Sequence, residues 1–203
     1  MNEAKIRLSQ KEMELVTDAT VILTKNAVLQ KVIQLLGALG ENQQHLIQTV
    51  GKRLPADIVN TSPKISKGEN YKGLPYQVLD YPRFFENENI FALRSMFWWG
   101  NFFSITLHLS GRFKELFEKK IIHSIHSLNE KSFYFCTNDH AWEHHFEEDN
   151  YVELSSISEN AFEKIVRERP FIKLAQKIPL TEWDHAGDIL FSYFTFLIEM
   201  LAD

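Results

Sequence analysis

The sequence predicts an α+β fold, an antiparallel sheet of about five strands covered by helices. Three observations carry that expectation. The segment from Ile90 to Ser110 contains no Lys, Asp or Glu, holds Trp98 and Trp99, and places Gly100-Asn101 between two strand-like runs, as a tight hairpin turn would. Its second half, from Phe102 to Ser110, alternates with a period of two, which no helix shares. Apolar residues at helical spacing stand on both sides of this region along the chain.

The elements follow in order. Ser9 and Glu12 have capping-box spacing. Behind them Leu15, Val16, Ala19, Ile22 and Leu23, then Val28, Val32, Leu35, Leu36 and Leu39, recur at helical spacing up to Gly37 and Gly40, where that helix is expected to end. Gln43 to Val50 reads as a shorter helix. From Arg53 to Gly73 the Pro, Gly and Lys content reads as a long loop. Tyr76 to Tyr81 reads as a strand stopped by Pro82, and the hairpin follows it. Arg112 to Leu128 is amphipathic, with Phe113, Phe117, Ile121 and Ile125 inward. Ser132 to Thr137 and Tyr151 to Leu154 are short strands. Ser158 to Arg169 is a helix ended by Pro170, and Thr181 with Asp184 caps a last, strongly apolar helix. The order is α-βββ-α-ββ-α, read as a single domain over 1–203 with a helical segment 9–52 packed on an α+β core 74–203. It is similar in topology to bacterial secretion chaperones, and that resemblance implies a protein client on a sheet face.

Composition narrows the function classes. The chain has 203 residues, 44% of them hydrophobic and 24% charged, as a soluble globular protein does. A net charge of −5 argues against nucleic acid as a partner, since that needs a basic face. One cysteine, Cys136, precludes an internal disulfide and suits a reducing compartment. Met1 to Gln10 is polar and lacks the apolar stretch of a signal peptide, and no apolar run reaches the length of a membrane span. The expectation is a cytoplasmic protein without a membrane partner.

With a two-residue turn at Gly100-Asn101, Trp99 faces Phe102 and Phe97 faces Ser104. That register sorts Phe97, Trp99, Phe102, Thr106 and His108 onto one mixed aromatic and polar face. The opposite face carries Ala92, Met96, Phe103, Ile105 and Leu107, a dry core with one anomaly, Arg94. An arginine there needs a carboxylate or a ligand anion, and Asp80 on the preceding strand is a candidate partner. The mixed face, with Arg94, is the expected binding surface for a protein or small-molecule partner.

The alternative is a zinc-dependent hydrolase. His140-Ala141-Trp142-Glu143-His144 has the H-x-x-E-H spacing of the inverted zinc peptidases, which it resembles over these five residues. Histidines four apart share a helix face, so His140 and His144 would hold Zn²⁺ while Glu143 served as base. The bland reading is a wet turn pinned by Trp142 and Phe146. Lys64, Lys67 and Lys72 in the long loop can close over an anion near Arg94, or stand solvated. The apolar last helix suits a homo-oligomer contact. No phosphate-binding glycine motif is present.

Overall fold

The computed structural model describes residues 6–50 and 53–202. The expected end of the N-terminal helical segment, at Lys52, lies outside the described residues. The chain runs α1 (Gln10–Thr17), α2 (Ala19–Val50), α3 (Ala56–Val59), β1 (Lys64–Tyr71), β2 (Leu74–Glu86), β3 (Asn89–Trp98), β4 (Phe102–Ser110), α4 (Arg112–His123), α5 (Ile125–Glu130), β5 (Tyr134–Cys136), β6 (Tyr151–Glu153), α6 (Glu159–Glu168), β7 (Phe171–Pro179) and α7 (Ala186–Ala202). The fold is α+β. Its sheet is antiparallel and has seven strands rather than about five, in the order β1-β2-β3-β4-β7-β5-β6.

The two added strands are β1 and β7. β1 occupies the second half of the expected loop. It is an edge strand whose polar, charged surface is what an edge needs to resist pairing with another chain. Lys72 and Gly73, both at positive φ, join Tyr71 to Leu74 by the two-residue turn that was expected at Gly100-Asn101. β7 pairs with β4 on one side and β5 on the other, so it lies inside the sheet. Lys173 and Gln176, both buried, break its apolar run and disguise it. β2 continues through Pro82, with a register shift between Asp80 and Arg83 absorbing the interruption.

The hairpin forms with a different register. Trp98, not Trp99, pairs with Phe102, so three residues make the loop. Asn101 N–H donates to the Trp98 carbonyl at 3.1 Å, and Gly100 alone supplies a positive φ, +72°. A two-residue type I′ turn needs positive φ at both central residues, and Asn101 does not adopt it. This one-residue slip exchanges the two sides of β3 against β4. Phe97 therefore joins Phe103, Ile105 and Leu107 in the core, and Trp99 packs half-buried against the same cluster. Arg94 leaves the dry side and pairs across from Asp80 on β2 and Thr106 on β4.

Helices cover the dry face. α2, α4 and α7 bring Val32, Leu36, Phe117, Phe194 and Leu197 against the sheet in one contiguous core. α2 runs unbroken through Gly37 and Gly40. At Gly40 an added Cβ would come within 3.5 Å of Leu79 and Pro63, so the residue brings the helix close to the sheet. The strong apolar character of α7 is used inside the molecule: Leu190, Phe194, Leu197, Ile198 and Leu201 are buried against α2, α4 and β4. Solvent instead meets large apolar side chains on α1 and the first turns of α2, including Val16, Ile22 and Leu23. No helix among the described residues is long and apolar enough to cross a membrane.

Candidate functional site

The second sheet face is covered by a strap, residues 137–150, between β5 and β6. Thr137 N–H donates to the Asn150 carbonyl at 2.9 Å and closes its base. Phe146 stacks on Tyr151 at 4.7 Å and meets Phe102 and Tyr134 edge-on. The tip of β1 pins its middle. The Tyr71 hydroxyl accepts from the N–H groups of His144 (2.8 Å) and His145 (3.1 Å) and donates to Glu143 Oε2 (2.9 Å). Burial, aided by the Glu143 carboxylate, pushes this phenol up to about 12, so it stays a donor. Lys72 adds an ion pair to Glu147 at 3.2 Å. The strap binds the face through these fixed polar anchors, because the strap itself is polar.

Under it lies a cluster of basic side chains. Alternation along β3, β4 and β7 aims Arg94, His108 and Lys173 to the same side, and the strap adds His144 from above. Arg94 grips Asp80 bidentately, Nε to Oδ1 at 2.7 Å and Nη2 to Oδ2 at 2.9 Å. Its Nη1 lies 3.1 Å from His144 Nε2. A guanidinium has only donors, so that nitrogen accepts and His144 is neutral, its proton on Nδ1. Burial first, then the charge of Arg94, holds the His144 pKa well below the usual histidine range. His108 is held down to about 3 by burial, then by Lys173 and Arg94.

These side chains enclose a cavity that Thr106, Ala92 and Trp142 complete. It leaves about 10 Å³ for the centre of a guest, room for one water-sized group. Trp142 roofs it, 5.4 Å from the His108 ring and 6.0 Å from the Arg94 guanidinium carbon. His108, 5% exposed, leaves its Nε2 buried without a hydrogen-bond partner. Beside the cavity, and sharing His108 and Ala141 with it, runs an open groove of about 460 Å³ lined by Ile90, Ser110, Pro170 and Phe171, with Glu88 at its rim.

Of the residues the sequence nominated for this face, Arg94, Thr106 and His108 meet in the cavity, and Phe102 anchors the strap beside it. Phe97 and Trp99 do not: the register slip places both on the helix-covered side, where Phe97 meets the rings of Trp99 and Trp183. The zinc arrangement is also corrected. Residues 140–144 form a turn without a helix, His140 is exposed, and the His144 lone pair is taken by Arg94. His140, Glu143 and His144 do not converge. Among the described residues the one trio within reach of a single ion is His145, Glu147 and Asp149, where the Glu147 N–H already points at His145 Nδ1 (3.4 Å) and Lys72 occupies Glu147. Lys64 and Lys67 are exposed on β1 and do not close over Arg94.

Lys173 and the roof Trp142 were not nominated as site residues, and His144 was nominated only as a zinc ligand. Ile172, Leu174 and Ile178 keep a period of two along β7, and that pattern marks Lys173 as pointing to the other face. Cys136 is buried and turns to Asn150 Oδ1 at 3.5 Å; burial pushes its thiol up, so it is no ready nucleophile. No known protein family matches the chain, and comparison with curated proteins finds no relative.

Proposed function

We propose that this protein is a non-catalytic binding protein that takes a small molecule between its second sheet face and the strap. The observation that carries the reading is the His108 Nε2, buried and unpartnered at a cavity bounded by Arg94 and Lys173. A buried polar atom left without a partner costs about 1–3 kcal/mol, and a ligand atom there would recover it. The strap already covers the sheet, which favours a small ligand over a protein client. The candidate site is complete within one chain and needs no second copy. The single Cys136, buried and unpaired, accords with a cytoplasmic, reducing setting.

Native mass spectrometry of gently purified protein, wild type and His108→Leu, tests this. The expected result is a dissociable mass on the wild type that the variant lacks. Once the ligand is stripped from the wild type, the variant should melt higher than it, because the substitution removes a buried unpaired imidazole. A wild-type spectrum at the bare chain mass, or a bound mass equally retained by His108→Leu, would overturn the reading.

A further inference from the structure

We propose that the ligand is a monocarboxylate with an apolar tail, its carboxylate received by the Lys173 ammonium and the His108 imidazole and its tail lying along Ile90 and Phe171. The inference rests on the binding reading above and adds the charge and shape of the ligand.

Lys173 supplies the charge argument. It is 1% exposed, yet its ammonium makes one hydrogen bond, to the Glu143 carbonyl at 2.6 Å, with the Tyr151 ring 5.2 Å away. Three N–H donors are present and at least one stays without an acceptor. Among the described residues no carboxylate pairs with it, and each acid nearby is engaged elsewhere. On β2, Asp80 is gripped by Arg94 of β3. On the strap, the Glu143 carboxylate takes the Tyr71 hydroxyl and faces His145 at 3.5 Å. On β5 and β6, burial keeps the Cys136 thiol and the Tyr151 phenol protonated. His108 of β4 and His144 of the strap are neutral. The cavity therefore holds one cation with no counter-ion, and an anion is the ligand that would complete it.

Size and surroundings select the anion. The enclosed space admits one oxygen-sized atom of an anionic head, and a planar carboxylate leaves less of itself outside than a tetrahedral phosphate or sulfate does. The groove that continues from His108 is apolar along Ile90, Pro170 and Phe171, so it suits a hydrocarbon tail. Glu88 at the rim repels a second carboxylate, which makes the ligand a monocarboxylate.

Isothermal titration with sodium hexanoate, hexan-1-ol and hexylamine, on wild type and Lys173→Met, tests the inference. Hexanoate is expected to bind at least tenfold tighter than hexan-1-ol, and hexylamine not at all. Lys173→Met, checked by its melting curve, should lose that tenfold preference while keeping the weak affinity for the alcohol. Hexanoate affinity should fall about tenfold between pH 7 and pH 9 as the ammonium, held at about 8 by burial, loses its proton. Hexan-1-ol binding as tightly as hexanoate, in a manner that needs His108, would overturn the carboxylate and leave the binding reading standing. Hexanoate binding unchanged in Lys173→Met overturns it too. No binding by any probe overturns the inference; a wild type at bare chain mass in the native spectrum removes the binding reading with it.

Discussion

His108 and His144 are kept neutral by burial and by the cations that share their cavity, and that neutrality has a cost on acidification. An unfolded His108 would take up a proton near pH 6.5, whereas the folded one resists until about pH 3. Through that window the unfolded chain binds more protons, so the buried neutral His108 carries no pH penalty above pH 6.5 and destabilises the protein progressively as the pH falls towards 3. Denaturant titrations are expected to show the wild type weakening on acidification through this range, and His108→Leu weakening less. Imidazole NMR signals of both residues should stay unprotonated from pH 8 to pH 5; a midpoint near the ordinary value would show that the site is open to water. Lys173 behaves in the same direction at higher pH. Held at about 8 against 10.5 when free, it makes the protein gain stability as the pH rises between those values, a gain absent from Lys173→Met. Some of this was legible from residue type alone. Arg94 in an otherwise charge-free stretch needed a carboxylate, a ligand anion or the sheet's edge, and Asp80 on the preceding strand was one candidate partner. His144 stood out for the wrong reason, as half of a metal pair, because spacing along the chain says nothing of the guanidinium that arrives from β3.

The strap is the element on which the site depends, and its hold is polar. Removing the Tyr71 hydroxyl strands two backbone N–H groups and a carboxylate, so Tyr71→Phe is expected to cost about 2 kcal/mol while the sheet itself stays folded. Amide hydrogen exchange should then accelerate at His144 and His145 and remain unchanged in β3 and β4. Equal protection in the variant would mean that the stacking of Phe146 on Tyr151 is enough to hold the strap. No periodicity announces a strap of this kind, since its anchors come from β1, a strand too polar to be recognised as one. Regular elements with one apolar face were readable: the hairpin, α4, α6 and most of α2 follow the expected spacing. Register was not, because Gly100-Asn101 supports either a two-residue or a three-residue loop. The choice was made by which residues took positive φ, and it moved Phe97 into the core and Trp99 to a half-buried place against it.

At the scale of the whole molecule, one sheet serves two purposes. Helices seal its first face with a continuous hydrocarbon core, and this core can hold the charged second face, where burial of Arg94, Lys173 and two histidines opposes folding. Stability therefore resides with α2 after Val32, with α4 and with α7, and not with the N-terminal turns. None of α1 is buried, and the first fully buried residue of α2 is Val32. Deleting residues 1–18 is thus expected to shift the melting temperature by less than about 3 °C, the equivalent of under 1 kcal/mol in a chain of this size. Leu36→Ala, in the same helix but sealed against the sheet, should cost about 2–5 kcal/mol. If the truncation proves as damaging as the core substitution, the exposed apolar side chains from Met13 to Leu23 must be covered in solution, and light scattering on the two proteins would then show the intact chain as the larger species.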